Sequence, residues 1–237
     1  GVDRLDSLGV VFGAWGGGSD GSRLNERIVP ALAKLSDSGT DIYLMHGNGV
    51  FVIGEDFCKR AGASLLDDPT VIDLHGTPTL LMHGDSLCTA DVEYQKFRAN
   101  MRNPQWQQMI LQRPLEDRQQ MARQLREISM AKNQGKEEFI MDVTPGEVVK
   151  DMETHGVQRL IHGHTHRPAV HELTATGLPA KRIVPGDWSQ NVWCLEATPG
   201  QEPALKTPAV YKDPANSRVS TPAPLAARHR RPNFASQ

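Results

Sequence analysis

The sequence predicts an α/β layered sandwich that carries a helical insertion, and two observations lead to this prediction. Short apolar, β-rich runs alternate with stretches of helical periodicity, and hairpins follow toward the end. Three of the predicted strands end in polar residues, at 46–48, 83–85 and 162–166. Because ligands of open α/β sheets sit beyond the carboxyl ends of strands, these tips are the candidate functional site.

The composition excludes several classes of protein. The 237 residues include 26 Lys and Arg against 28 Asp and Glu, so the formal charge is −2 and we expect no nucleic-acid partner. Three widely spaced cysteines with no C-x-x-C pair favour a reducing compartment over a disulfide framework. We expect no signal peptide, and no apolar run approaches the ~18 residues of a membrane span.

The first third of the chain predicts a helix, a strand, a second helix and a hairpin. Apolar residues recur at helical spacing over 24–35, and DSGT follows as a stop. DIYLM (41–45) is a short β-rich run, and we expect a helix around 54–62. Two further runs, 70–74 and 77–85, are separated by His75-Gly76, a two-residue turn that pairs them as a hairpin.

The rest of the chain predicts a helical insertion inside the sandwich and a tail after it. Residues 90–136 have helical spacing with interruptions near Pro104 and Pro114. A helix from about 145 to 155 precedes a strand, loop and strand within 157–173, and short strands should follow at 181–185 and 191–196. With six prolines and few large apolar residues, 201–237 is predicted to be a mostly disordered tail.

The densest chemical signal is His162-Gly163-His164-Thr165-His166. Imidazole is the commonest transition-metal ligand, and alternate residues leaving a strand point to the same side, so two or three of these rings could meet at one cation. The alternative is structural, with the histidines capping a strand end by hydrogen bonds. Gly47-Asn48 and His83-Gly84-Asp85 end two other predicted strands; taken separately, each pair is more often a turn than a ligand.

Taken together and in this chain order, the three tips resemble the motifs of the calcineurin-like metallophosphoesterases. That resemblance implies a four-layer α/β/β/α sandwich in which two metals about 4 Å apart activate a water at phosphorus. YLMHGN (43–48), LLMHGDSLCTAD (80–91), EYQKFRA (93–99) and LIHGHTHRPAVHEL (160–173) narrow the resemblance to the UDP-2,3-diacylglucosamine hydrolases. It runs with little gapping from about Leu8 to about Trp193.

The family resemblance implies a reaction, a cofactor and a location. A manganese-activated water would attack the α-phosphorus of UDP-2,3-diacylglucosamine and give UMP and 2,3-diacylglucosamine 1-phosphate in lipid A biosynthesis. Residues 1–89 and 137–200 would form the core and 90–136 a lipid-binding cap. The protein would be peripheral, on the cytoplasmic face of the bacterial inner membrane, with Arg102, Trp106 and Arg113 among the cap residues that meet lipid.

Matching the family motifs residue by residue implies a set of site residues. The implied metal ligands are Asn48, His83, His164 and His166, and the implied catalytic residues are His164 and Asn48. The implied substrate contacts are Asn48, Asp91, Ser129, Asn133, Lys136 and His164. From the residues alone, Asp91 is better explained as a helix N-cap and Lys136 as a solvated surface charge.

Several positions depart from the family pattern. The D-x-H motif is expected on a strand before residue 1 and is absent from the sequence. Val10 stands where the metal-bridging carboxylate belongs, Gly13 replaces an acid of the same motif, and Gly49 and Val50 replace the Arg and Asp of G-N-R-D. We therefore expect at most one weakly held Mn²⁺ and little hydrolase activity. Two alternatives stay open: an impaired or truncated relative that only binds the lipid nucleotide, and another calcineurin-like phosphoesterase.

Overall fold

A computed structural model gives the fold of the chain. It describes residues 8–10, 21–47, 55–114, 140, 142–187 and 192–207, together with 116–117, 120–121 and 124–125. Ten strands and five helices of these residues are arranged as layers of sheets and helices. The predicted α/β class is confirmed.

The largest sheet carries two of the three strand tips. Its five strands lie in the order β4-β5-β6-β8-β7, with bounds Thr70–Leu74 (β4), Thr77–Met82 (β5), Arg159–His162 (β6), Ala169–Ala175 (β7) and Leu178–Val184 (β8). The central strands β5, β6 and β8 are parallel, whereas β4 and β7 pair antiparallel at the edges. The predicted hairpin around His75-Gly76 is confirmed, and both turn residues have positive φ.

Two smaller sheets face this one. Ile42–Met45 (β2) pairs in parallel with Ala63–Leu66 (β3), and Leu8–Val10 (β1) and Ala204–Lys206 (β10) flank Cys194–Ala197 (β9) antiparallel. The predicted tail from residue 201 is wrong for β10, because Leu205 packs on the buried core and Lys206 pairs with Glu196 at 2.6 Å. Residues 208–237 lie outside the described part.

Alternation along the central strands builds two cores, one on each face of the five-stranded sheet. Leu80, Met82 and Leu160 point to one face, where Val148 and Met152 of a helix cover them. On the opposite face, Leu81 and Ile161 pack with residues of the smaller sheets, among them Met45, Leu66, Leu195 and Leu205. The helices at 21–37 and 55–61 contact β3 of a smaller sheet. The layers are therefore helix, sheet, sheet and helix, as the α/β/β/α prediction requires.

The helices confirm most of the predicted boundaries. Their bounds are Gly21–Asp37 (α1), Glu55–Ala61 (α2), Val92–Met101 (α3), Pro104–Leu111 (α4) and Pro145–Thr154 (α5). The break before Pro104 falls where it was predicted, since Asn103 caps α4 through its side chain. Most of 115–139 lies outside the described residues. Within the described part, no helix combines the length and the apolar character that crossing a bilayer requires.

Candidate active site at the carboxyl edge of the central strands

The tips of β5 and β6 lie side by side because the two strands are parallel neighbours. Met82 is paired with His162 at the last rung of the ladder. One residue further on, the backbone N–H of Gly163 donates to the carbonyl of His83 at 3.0 Å. This hydrogen bond fixes the loop that carries His164 against the backbone of His83.

His83 and His164 form a contacting imidazole pair at this edge. Their ring centroids are 5.1 Å apart in an edge-to-face arrangement. Burial lowers the pKa of His83 to about 3, despite the neighbouring Asp85 carboxylate, and that of His164 to about 4. Both rings are therefore neutral at pH 7, the form in which an imidazole nitrogen can accept a metal or a proton.

The loop after β6 holds two histidines in an unusual backbone conformation. His164 has φ 65° and His166 has φ 54°, both in the left-handed region that residues other than Gly rarely adopt. Such a conformation costs on the order of 1–3 kcal/mol per residue and persists only where the surroundings enforce it. Among the described residues, His75 and Thr176 share this conformation, each in the turn of a hairpin, so His164 and His166 are the two such residues of the predicted site.

Two glycines allow the tips to approach each other. A Cβ added at Gly47 would lie 3.1 Å from atoms of the His83 ring. At Gly84, where φ is +100°, a Cβ would lie 2.6 Å from Nδ1 of His162. These glycines therefore bring the ends of β2 and β5 within contact of the histidines.

His162 has a structural role rather than a ligand's role. Its side chain is fully buried, Nδ1 lies 2.9 Å from the carbonyl of Gly163, and Nε2 lies 3.3 Å from the Arg182 guanidinium. Because Arg182 can only donate, Nε2 accepts and Nδ1 carries the proton. The structural reading of the histidine run, capping of a strand end, is thus confirmed for His162.

His166 lies at the exposed side of the loop. Its Nδ1 is 3.8 Å from Oδ2 of Asp187, in the segment that follows β8. Asp187 was not among the predicted site residues; the only signal for it is its place in Pro185-Gly186-Asp187, a further polar tip after a strand of the same sheet.

A buried ion-pair network joins the tips to helix α3. Oδ2 of Asp85, whose side chain is 2% exposed, lies 3.0 Å from Nε of Arg98 and 3.6 Å from the guanidinium of Arg102. Arg102 also pairs with Asp68 at 3.1 Å, and Asp68 accepts the backbone N–H of His83 at 2.9 Å. The cap helix is therefore tied to the His83 backbone through alternating charges.

Burial has opposite outcomes for the two carboxyl groups of this network. Burial alone would raise the pKa of Asp85, but His83 and the two arginines together outweigh it and the pKa is lowered. At Asp68 burial prevails, and the pKa is raised in spite of the His83 N–H and Arg102. The Asp85–Arg98 pair is thus the firmly ionised part of the network.

Helix α3 also contributes Tyr94 and Asp91 to the site. The Tyr94 ring lies 5.2 Å from that of His164, and its hydroxyl donates to Oδ2 of Asp85 at 3.2 Å. Asp91 accepts the backbone N–H of Tyr94 at 3.1 Å as the N-cap of α3. The N-cap reading of Asp91 is confirmed, and its contact with substrate stays a prediction.

The remaining predicted site residues divide into two groups. Asn48, Ser129, Asn133 and Lys136 lie outside the described residues, as do Gly13, Gly49 and Val50. Val10 ends β1, opposite Leu195 of β9. Arg102 was expected to meet lipid; its guanidinium pairs with Asp68 and Asp85, and a contact with lipid stays a prediction.

Sequence reasoning missed the role of the α3 arginines. Arg98 and Arg102 are four residues apart and so lie on one face of the helix, four and eight residues after Tyr94. That spacing was visible. The carboxylates they bind were not, because Asp68 and Asp85 come from separate loops.

The described donors fit a metal only in part. His83 and His164 offer two neutral imidazoles, which suit late first-row ions better than Mn²⁺, whose preferred ligands are oxygens. Among the described residues, no three His, Cys, Asp or Glu side chains are grouped so that they could hold an ion. A cation here would need oxygen donors such as Asn48 from outside the described part.

This α/β/β/α sandwich, with an imidazole pair at the carboxyl edge of its central strands and a helix tied to that edge, agrees with a calcineurin-like metallophosphoesterase, the class that the names of its relatives imply. The chain is 70% identical over 206 residues to the UDP-2,3-diacylglucosamine hydrolase of Marinobacter nauticus, covering 87% of this chain and 84% of the relative. It is 53% identical over 192 residues to the hydrolase of that name from Hahella chejuensis, covering 81% and 79%. No family model matches the sequence. At these identities and coverages, the chain belongs to the UDP-2,3-diacylglucosamine hydrolase family.

Proposed function

We propose that this chain hydrolyses the pyrophosphate bond of UDP-2,3-diacylglucosamine, giving UMP and 2,3-diacylglucosamine 1-phosphate in lipid A biosynthesis. The observation that carries the proposal is the 70% identity over 206 residues to a protein named for that hydrolysis. The geometry agrees with it, since the matched motifs converge at one edge of the sheet. In this proposal the neutral rings of His83 and His164, which lie in contact, orient a phosphate and its attacking water.

The residues of the site bind and orient rather than form a covalent intermediate. Tyr94 contacts the His164 ring and donates a hydrogen bond to Asp85, so it lines the side of the site that faces the cap. The Asp85–Arg98 pair holds α3 against the strand tips, so that the cap and the imidazoles keep a fixed separation. In this proposal the diacyl half of the substrate lies under the cap, and the pyrophosphate reaches the histidines.

We expect this chain to hydrolyse UDP-2,3-diacylglucosamine slowly. Val10 has no lone pair to bridge two cations, and Gly49 offers no guanidinium to the phosphate. In a family where those two positions carry Asp and Arg, we expect this chain to turn over at least about a hundredfold more slowly than its relatives, since each lost transition-state contact costs about tenfold or more. UMP release from the lipid nucleotide with added Mn²⁺ measures the rate, and a rate equal to that of the Marinobacter nauticus hydrolase would refute this part of the proposal.

We infer that a single Mn²⁺ binds weakly, with His83 and His164 as two of its ligands. When bound, such an ion supplies Lewis acidity toward the phosphate. Replacing either histidine by alanine should lower Mn²⁺ affinity at least about tenfold, whereas His155→Ala, an exposed ring bonded to its own helix, should leave it unchanged. Paramagnetic resonance of free Mn²⁺ at pH 7.5 gives the affinities, and equal values for all four proteins would exclude the site.

We also propose peripheral attachment to the cytoplasmic face of the bacterial inner membrane, because the substrate is a two-chain lipid. Supporting residues lie on α4 and directly after it, where Met109 is 48% exposed and Arg113 is exposed at the helix end. Flotation with anionic vesicles tests this: Met109→Gln should weaken attachment, whereas Lys150→Gln on α5 should not. Attachment that is absent, or equal in both variants, contradicts the proposal.

A further inference from the structure

A cavity of about 260 Å³ lies beside the loop that carries His164, and residues of that loop line it. Thr165 and Arg167 line it, together with Asp142, His171 and Arg182, and Val184 lies among its apolar walls. The His164 ring contacts Tyr94 of the cap helix. Neighbouring residues of the loop from 163 to 167 thus contribute to two places: His164 contacts the cap helix, and Thr165 and Arg167 line the cavity.

The cavity carries a net positive charge. Nη1 of Arg167 lies 3.0 Å from Asp142, and Nη1 of Arg182 lies 3.9 Å from the other oxygen of the same carboxylate. Burial lowers the pKa of His171, and Arg182 adds to the effect, so this ring is neutral at pH 7. Two guanidiniums thus face one carboxylate.

An unsatisfied hydroxyl completes the lining. Oγ1 of Thr165 is buried and has no hydrogen-bond partner among the described residues. Leaving a buried hydroxyl unmatched costs on the order of 1–3 kcal/mol, so such an atom in a cavity wall indicates a missing partner. The metal site predicted for the histidines of 162–166 does not involve this hydroxyl.

We propose that this cavity binds the nucleoside monophosphate half of the substrate, an inference that rests on the proposed function. The guanidinium of Arg167 and the Thr165 hydroxyl donate to phosphate oxygens. The Asp142 carboxylate accepts from ribose hydroxyls, and the apolar surface of Pro168 and Ala169 packs against the base. The pyrophosphate then spans the loop, with its lipid half on the cap side and its nucleotide half in the cavity.

Calorimetric titration of the 237-residue chain with UMP, uridine and orthophosphate tests the assignment. UMP should bind at least about tenfold more tightly than either fragment. Thr165→Val, which keeps the shape and removes the hydroxyl, should weaken UMP binding about fivefold or more, and Thr165→Ser should restore it. Arg167→Gln should weaken it about tenfold, whereas Lys181→Gln, the same charge change on a 39% exposed side chain of β8, should change it less than twofold.

The inference is overturned if orthophosphate binds as tightly as UMP, if UMP does not bind, or if the Thr165→Val and Arg167→Gln proteins, shown folded by their melting curves, bind UMP like the unchanged chain. Failure of the proposed function is a separate result. A chain that leaves the lipid nucleotide intact but binds UMP through Thr165 supports the cavity assignment, whereas hydrolysis without Thr165-dependent UMP binding overturns it.

Discussion

At the scale of a single residue, the absence of a side chain at Gly84 allows the end of β5 to lie in contact with His162 at the end of β6. Its φ of +100° and the 2.6 Å between a built Cβ and Nδ1 of His162 are two separate obstacles to any side chain. We expect Gly84→Ala to lower the free energy of unfolding by about 2–4 kcal/mol, because strain and overpacking add.

Gly76 is the matched control for this substitution. It also has positive φ, at +87°, but nothing lies within 4 Å of a built Cβ. Gly76→Ala should therefore cost only the conformational strain, about 1–2 kcal/mol. Urea denaturation of the two variants separates the terms, and equal losses would show that the contact with His162 contributes nothing.

Asp91 allows the cap role and the substrate role to be separated. Serine also accepts a backbone N–H at an N-cap, so Asp91→Ser should change stability by less than about 0.5 kcal/mol, while Asp91→Ala should cost about 1 kcal/mol. If Asp91 also contacts the substrate, both variants should raise KM for UDP-2,3-diacylglucosamine. If the KM of the Asp91→Ser protein is unchanged, Asp91 acts only as the N-cap of α3 and does not contact the substrate.

The sequence indicated which residues matter at this scale but not what they contact. His83 and His164 could be chosen because a ligand-type residue after each of two neighbouring parallel strands must fall at one edge. The buried bonds of His162 to Arg182 and of Asp68 to Arg102 join segments 20 and 34 residues apart. No local pattern encodes such pairings.

At the scale of elements, α3 is held to the sheet by buried charge. Asp85→Asn leaves Arg98 and Arg102 facing an uncharged amide, and removing one partner of a buried pair is costly even when the other is a quarter exposed. We expect a loss of about 2–3 kcal/mol and faster amide exchange along α3.

The control lies on the same helix. Lys96 and Glu93 form a pair at 3.2 Å in which both side chains are mostly exposed, so Lys96→Met should change stability by less than about 0.5 kcal/mol. If Asp85→Asn behaved like Lys96→Met, the network could not be what fastens the cap.

Element prediction succeeded where periodicity or turn chemistry was strong. The β4–β5 hairpin and the helices α1, α2 and α5 were all anticipated, whereas β3 was not, because ASLL is too short to show a period. Strand β10 was missed because its proline-rich surroundings suggested disorder. Its order comes from pairing with β9, a long-range contact that composition does not report.

At the scale of the whole molecule, three neutral histidines make stability depend on pH: His162, which is buried, and His83 and His164, which are half-buried. The pKa of His83 is about 3 and those of His162 and His164 about 4 in the folded chain, against 6.5 when exposed. Between pH 4 and 6.5 the unfolded chain therefore binds more protons than the folded one. Stability is fully present above pH 6.5 and is lost as pH falls.

The expected loss is large enough to measure. Each of these histidines accounts for on the order of 2 kcal/mol between pH 7 and pH 5, so the metal-free chain should lose a few kcal/mol overall. Urea denaturation at the two pH values gives the difference. His162→Gln should reduce the pH dependence and His155→Gln should not; a chain equally stable at pH 7 and pH 5 would contradict the neutral state of the rings.

The central claim is that this edge of the sheet directs water to the nucleotide-side phosphorus of UDP-2,3-diacylglucosamine. The direct measurement is prolonged incubation of the chain with that substrate and Mn²⁺ in ¹⁸O-labelled water, followed by mass spectrometry of both products. The account predicts slow formation of UMP that carries the label, with no label in 2,3-diacylglucosamine 1-phosphate and no products from the His164→Ala protein. Label in the lipid phosphate, no turnover at all, or turnover that persists without His164 would contradict it.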